Sequence, residues 1–292
     1  MRRHTPLGVE EGFFDSSPRD SSRVKRQIVA EYFDYYMRVM ARRGKTAGHV
    51  DLFAGPGIYG NGEESSPILI CKQVVSDERL RGSVKLWFNE GDPTTYKSLK
   101  TNIGAVEGIE ILAHPPKLTD HVITESFAPQ LSNMRTPSFI FADPCGYKGL
   151  SLRLIASALK PFGNDCIFFF NYSRLNMKIS YEVMDESVNA FFEKTRADKI
   201  REQIKAIVGP HEREQVIVSA VKTALKEQAG AFSLTFAFRS REGGRTSHHL
   251  VYATKNRNAL TQMKRIYNKA SSNTLHLTIL MAAEMSMSGE RL

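Results

Sequence analysis

The sequence predicts an α/β fold: a mostly parallel sheet of about seven strands, wound by helices on both faces and closing on an antiparallel hairpin. Three observations carry this. Short apolar runs alternate with stretches of helical periodicity from Lys25 to Gly230. Two of the runs, Phe139–Ala142 and Cys166–Phe170, are apolar throughout, as strands covered on both faces are. Three runs end at or beside an acid, Asp51, Glu90 and Asp143, and in an open parallel sheet ligands lie beyond the carboxyl ends of strands.

The chain of 292 residues carries a net charge of +9, with 41% hydrophobic and 24% charged residues. That composition builds a globular core. Residues 1–22 read as a flexible tail, polar around Ser16-Ser17-Pro18, with Phe13 and Phe14 as points of attachment. Residues 23–292 read as one domain with a small helical insertion at about 174–212. No apolar run is long enough to span a membrane, and no apolar stretch follows Met1-Arg2-Arg3 as a secretory signal requires. Cys71, Cys145 and Cys166 are scattered without metal-ligand spacing, which predicts a cytoplasmic setting and no zinc site. The basic balance is compatible with a nucleic-acid partner.

In chain order, Lys25–Arg43 shows a helical stripe through Ile28, Val29, Tyr32, Phe33, Tyr36, Val39 and Met40, stopped by Gly44. The first strand, His49-Val50-Asp51, runs into Leu52-Phe53-Ala54-Gly55-Pro56-Gly57. A helix then opens at Ser66-Pro67, where serine can cap and proline has no N–H to lose. Gly55, Gly57 and Gly60 match G-x-G-x-x-G in spacing, but Asn61-Gly62-Glu63-Glu64 delays the helix. A pyrophosphate seated on the helix is disfavoured. A ligand without phosphates, such as S-adenosylmethionine, suits the turn better. Asp51, Phe53, Gly55 and Gly57 are the candidate cofactor residues here; an ordinary βα turn is the alternative.

The second strand, Val84–Asn89, ends in Glu90, placed to accept hydrogen bonds from ribose hydroxyls; Asp92 caps the helix from Thr94. The third strand is read at Ile109–Ala113, followed by a His114-Pro115-Pro116 loop and a helix capped by Asp120. The fourth, Phe139–Ala142, runs into Asp143-Pro144-Cys145-Gly146-Tyr147. Proline fixes that turn, so the Asp143 carboxylate and the Pro144 carbonyl can accept from a substrate amino group and aim its lone pair; capping of the turn is the alternative role for Asp143. The fifth, Cys166–Phe170, ends in Asn171-Tyr172, which can touch substrate or serve structure. Helical stripes follow to Gly230. Phe232–Phe238 and His249–Thr254 form a hairpin whose loop carries Arg239, Arg241 and Arg245, candidate phosphate contacts or a solvated loop. His248-His249 reads as strand-end surface, and Leu260–Tyr267 as the closing helix. Seven strands with a terminal antiparallel hairpin make a Rossmann-like class I methyltransferase sheet.

The chain resembles the three-Cys-motif partner protein family (TcmP). The resemblance rests on the aromatic helix from Lys25, the Asp51–Gly57 turn with Ser66-Pro67, the Asp143-Pro144-Cys145-Gly146 turn, and Leu250–Thr254 with Met263-Lys264. It implies a Rossmann-type methyltransferase fold, which is the main support for the seven-strand reading above, and a protein partner that bears a three-cysteine motif. Two departures stand out: the family's Asp-Pro-Phe-Gly has Cys145 in place of phenylalanine, and its third-strand acid is missing around His114. The Asp-Pro-x-Gly turn also resembles locally that of tRNA guanine N2-methyltransferases.

These readings favour a S-adenosylmethionine-dependent methyltransferase acting on a nitrogen, with nucleic acid the expected substrate class. Asp143 and Pro144 would orient the amine, and Tyr147 or Tyr172 would stack on a base that has left its duplex. Pro144-Cys145 is also similar to the nucleophile turn of cytosine C5-methyltransferases, yet only Lys148 stands near to lower the thiol pKa, so a structural Cys145 is preferred. The rival class is a non-catalytic or accessory partner protein that keeps the fold to bind nucleic acid or an enzyme. No tight acidic cluster suggests a two-metal nuclease, and no metal site is expected.

Overall fold

In the computed structural model the described residues are 20–144, 149–180, 186–239 and 245–272. Helix α1 (Asp20–Arg42) leads into β1 (Ala47–Asp51), α2 (Ser66–Ser76), α3 (Glu78–Arg81), β2 (Val84–Asn89) and α4 (Pro93–Gly104). Strand β3 (Lys117–Thr119), α5 (Ala128–Ser132), β4 (Ser138–Ala142), α6 (Leu152–Leu159) and β5 (Asp165–Phe170) follow. Then come α7 (Tyr172–Ser180), α8 (Glu186–Phe192), α9 (Lys194–Lys205), α10 (Pro210–Ala229), β6 (Phe232–Arg239), β7 (Thr246–Thr254) and α11 (Arg257–Ser272).

The seven strands form one sheet in the order β3-β2-β1-β4-β5-β7-β6. β1 to β5 pair in parallel, while β7 is antiparallel to both β5 and β6. This is the predicted Rossmann-like class I methyltransferase sheet. The order reverses at β1, between β2 and β4, which is the switch point where a ligand cleft opens in such sheets.

Two apolar layers flank the sheet. On one face Ile28, Val29, Tyr32 and Phe33 of α1 pack with Phe88, Phe139, Tyr252 and Met263. On the other, Leu154, Ile155, Phe168, Phe191, Phe192 and Val221 pack together, so α8 is continuous with the α6 and α10 layer. Alternation along each strand decides which residue meets which layer. Phe139 and Phe141 face α1, while Ile140 and Ala142 face α6.

Four expectations change. The first helix starts at Asp20, inside the segment read as tail. The third strand is Lys117–Thr119, not 109–113. Gly108, at φ 78, turns Ile109–Ile111 into a 3-10 turn that leaves Ile111 half exposed. The real strand is three edge residues, Lys117 exposed and Leu118 and Thr119 half-buried, with Lys117 4.4 Å over the Trp87 ring, so it has no apolar signature. The turn after it is capped by Thr124, whose hydroxyl accepts from Ser126 N, and not by Asp120. At the head of α2 the expected serine cap does not form: Ser65 is the cap residue and its hydroxyl makes no hydrogen bond. Asp92 does cap α4, accepting from Thr95 N at 2.8 Å.

At the amino edge of the sheet Tyr32 donates to Asp165 at 2.6 Å and also meets the Tyr252 hydroxyl, while Tyr36 donates to the Gly163 carbonyl at 2.8 Å. Burial pushes the Asp165 carboxyl up to about 6, against hydrogen bonds from Thr254, Tyr32 and Tyr252. A carboxyl that holds its proton more tightly when folded stabilises the fold below its ordinary value near 3.8 and loses that contribution as pH rises through 6. Asp165→Asn is therefore expected to flatten the decline of unfolding free energy between pH 4 and pH 6, read by urea titration across that range.

Candidate active site

The register builds the site. Asp51, the last residue of β1, sits opposite Phe88 of β2 and Phe141 of β4. Two residues further along those neighbours come Glu90 and Asp143. Steps of two keep the same face, so all three acids stand on the α1 side of three adjacent strand ends.

Asp51 is buried, and its Oδ1 accepts from Phe53 N at 3.1 Å. Burial pushes its carboxyl up to about 8; the Phe53 N–H opposes this, the Asp143 and Glu90 charges add to it, and Lys25 opposes it. Glu90 accepts from Gly55 N and Asp92 N, each at 2.9 Å, one on each carboxylate oxygen. Its pKa too is raised, chiefly by burial, with the backbone N–H groups working against it. Each oxygen keeps a second lone pair for another donor. Gly55 at φ 70 and Gly57 at φ 84 carry the turn. A Cβ on Gly57 would lie 3.2 Å from Asn102 Cβ, and the Asn102 amide holds the Pro56 carbonyl at 2.8 Å.

The keystone of this edge is Asn89, which strand periodicity did not single out. Fully buried, it donates to the Leu52 carbonyl at 3.1 Å and the His121 carbonyl at 2.9 Å. It accepts from the Thr119 hydroxyl at 2.8 Å and His121 N at 3.1 Å. One side chain thus ties together the turns that follow β1 and β3.

Lys25 of α1 is the second residue the sequence did not mark. Its ammonium makes an ion pair with Asp143 and lies 4.4 Å over the Phe169 ring. On either side, Arg26 holds the Glu63 carboxylate at 3.0 Å and the Glu64 carbonyl, and Arg23 reaches Glu63 at 3.2 Å. The first turns of α1 therefore clasp both the glycine loop and the Asp143-Pro144 turn.

The remaining predicted residues divide. Phe53 is half-buried and packs toward the α6 layer. Asn171 accepts from Arg174 N at 3.0 Å and so opens α7. Tyr172 is buried on the α6 side, edge-on to His249, away from the face that carries the acids. Arg239 ends β6 near Glu214, and Arg245 is exposed just before β7. Tyr147, Arg241 and Cys145 lie outside the described residues. His249, read as surface, is fully buried: its Nε2 lies 3.0 Å from Glu214 Oε1, and its ring stacks on Phe170. Among the described residues no group of His, Cys, Asp and Glu side chains is placed to hold a metal ion, and no helix is long and apolar enough to cross a membrane.

No family model and no curated protein matches the chain. Solved structures do. A Legionella pneumophila protein with the family model DUF519 aligns over 91% of this chain and 97% of its own at a TM-score of 0.52 and 11% identity. A SAM-dependent methyltransferase from Agrobacterium tumefaciens aligns over 78% of this chain and 61% of its own at a TM-score of 0.37 and 9% identity. An O-methyltransferase from Streptomyces achromogenes, solved in complex with SAM, aligns over 82% and 92% at 0.39 and 11% identity. The Legionella likeness extends to the fold, and the other two add nothing beyond it.

Proposed function

We propose that this protein is a S-adenosylmethionine-dependent methyltransferase acting on a nitrogen of a nucleic acid. The observation that supports it is the alignment of Asp51, Glu90 and Asp143 on one face at the carboxyl ends of three neighbouring strands, beside the Gly55-Pro56-Gly57 turn. The donor set fits the cofactor. Asp51 is a buried carboxylate facing other acids, which suits an ammonium. Glu90 keeps lone pairs for two ribose hydroxyls while it holds the loop in shape. When bound, S-adenosylmethionine supplies an electrophilic methyl group. The chain's part is positioning: the Asp143 carboxylate and Pro144 carbonyl accept N–H bonds from the acceptor amine and hold its lone pair in line. Arg239 and Arg245, which flank the β6–β7 loop at the same edge, are the candidate phosphate contacts, with Asn171 at the end of β5 toward the substrate; Tyr172, buried on the α6 side, drops out of the substrate set, and the candidates Arg241 and Tyr147 lie outside the described residues.

The TcmP resemblance belongs to this reading, with a cytoplasmic setting and a partner bearing a three-cysteine motif. A second reading, an accessory protein that keeps the fold to bind nucleic acid or a partner enzyme, is favoured by one observation: Lys25 already engages Asp143.

Calorimetric titration with S-adenosylmethionine decides between them. Micromolar binding that Glu90→Ala weakens by at least about tenfold supports the enzyme, whereas no binding up to millimolar ligand supports the accessory role. Affinity is also expected to depend on pH. Asp51 must shed its proton to pair with an ammonium, so between pH 6 and pH 8 binding should tighten by up to about tenfold per unit. A flat profile over that range would remove Asp51 from the ammonium site.

A further inference from the structure

Phe169 is the one partly buried residue of an otherwise buried central strand. Ala142 pairs with Phe168 in the β4–β5 register, so Phe169 lies beside Asp143, on the α1 face. The His248 ring stacks against it, with centroids 4.7 Å apart and planes 15° from parallel. Phe238 meets it edge-on at 5.6 Å. An aromatic ring so braced, next to a carboxylate, is a two-part receptor: a π face and a hydrogen-bond acceptor. In the free chain the Lys25 ammonium takes both, lying 4.4 Å over the ring and ion-paired with Asp143.

From this geometry we propose that Phe169, backed by His248, is the platform on which an acceptor nucleobase lies, and that Lys25 is a built-in occupant the base displaces. The inference rests on the methyltransferase reading. A planar ring with an exocyclic amine satisfies the receptor as Lys25 does: the ring covers Phe169 and the amine donates to Asp143. An alkylammonium would satisfy it as well, but the charge of the chain decides against a basic partner. At +9 it attracts polyanions and repels lysine-rich segments. Displacement leaves Lys25 at the rim, free to meet a phosphate, so the cost of opening is partly recovered by nucleic acid alone.

The occupant makes a measurable prediction. A site that is open only part of the time binds with its affinity reduced by the open fraction. With S-adenosylhomocysteine present at saturation, adenosine, cytidine and guanosine are titrated against wild type, Lys25→Met and Lys25→Arg. At least one nucleoside should bind about tenfold tighter to Lys25→Met, while Lys25→Arg, which keeps a cation over the ring, gains nothing. Phe169→Leu in the Lys25→Met background should cancel the gain, and Phe169→Tyr should keep it. Nucleoside affinity unchanged or weakened in Lys25→Met overturns the proposal. So does n-butylamine that outcompetes every nucleoside, since it would make the receptor one for alkylammonium. Calorimetry on S-adenosylhomocysteine alone separates the failures. If it does not bind, the methyltransferase reading falls and takes this one with it. If it binds and the Lys25 variants behave alike, only the platform is lost.

Discussion

Asp51→Asn is expected to weaken S-adenosylmethionine binding by about 100-fold at pH 8 while leaving the fold as stable as before or more so. The two effects come from one group. Removing one partner of a buried ion pair costs about 3–5 kcal/mol, and each 1.4 kcal/mol is a factor of ten in affinity. Without ligand the same carboxylate is a liability, because burial and the neighbouring acids raise its pKa to about 8. Asparagine keeps an oxygen for the Phe53 N–H and discards the charge. Thermal melts beside calorimetry give the answer. Lost binding with an unchanged or higher melting temperature identifies a ligand-binding carboxylate held at the expense of stability. A drop in melting temperature would make Asp51 a structural residue, and unchanged affinity would take it out of the cofactor site. The pH dependence of binding should vanish in the same variant.

The largest effect on the fold is expected at Asn89. Its four hydrogen bonds serve the Leu52 and His121 carbonyls, the His121 N–H and the Thr119 hydroxyl, all next to a fully buried side chain. Asn89→Ala leaves several of these groups unpaired, at about 1–3 kcal/mol for each that water cannot reach. A net loss of about 3 kcal/mol follows if water reaches the more exposed ones, and with it a fall of about 6–10 °C in melting temperature. Denaturant titration measures it. A loss below about 1 kcal/mol would mean that solvent replaces Asn89 and that the turns do not depend on it. Cofactor affinity should fall as well, since the turn after β1 loses its anchor to the end of β2.

How much of this was legible depended on whether a residue's surroundings were local. Phe139–Ala142 and Cys166–Phe170 announced themselves because a strand covered on both faces must be apolar along its length. The acids at Asp51, Glu90 and Asp143 were legible because a charge that ends an apolar run is expensive to bury without a purpose. Lys117–Thr119 was illegible: an edge strand of three residues, none buried, needs no hydrophobic pattern, and the isoleucines at 109 and 111 nearby drew the assignment instead. Lys25 looked like any helix lysine. Its role comes from where α1 crosses the sheet, and no spacing within the helix encodes that. Phe169 read as core for a similar reason: that it is only partly buried, beside the end of β4, is set by the sheet register and not by its own strand. His249 was misplaced because the acid that accompanies it, Glu214, arrives from a helix 35 residues earlier in the chain.

Helix α1 reaches from one pole of the sheet to the other. Tyr32 and Tyr36 fasten it through Asp165 and Gly163 at the amino edge, while Lys25 touches the carboxyl edge. The eleven helical steps from Lys25 to Tyr36 span about 16 Å. The rod is bolted by buried groups at one end and latched by ion pairs at the other, with Arg23 exposed and Lys25 and Arg26 partly buried. Added salt screens the exposed Arg23 most, the partly buried Lys25 and Arg26 less, and leaves the tyrosine anchor untouched. Ionic strength should therefore loosen the amides of residues 22–27 toward hydrogen exchange and spare those of residues 30–40, making the forward end of α1 a counter of mobile ions at the mouth of the cleft.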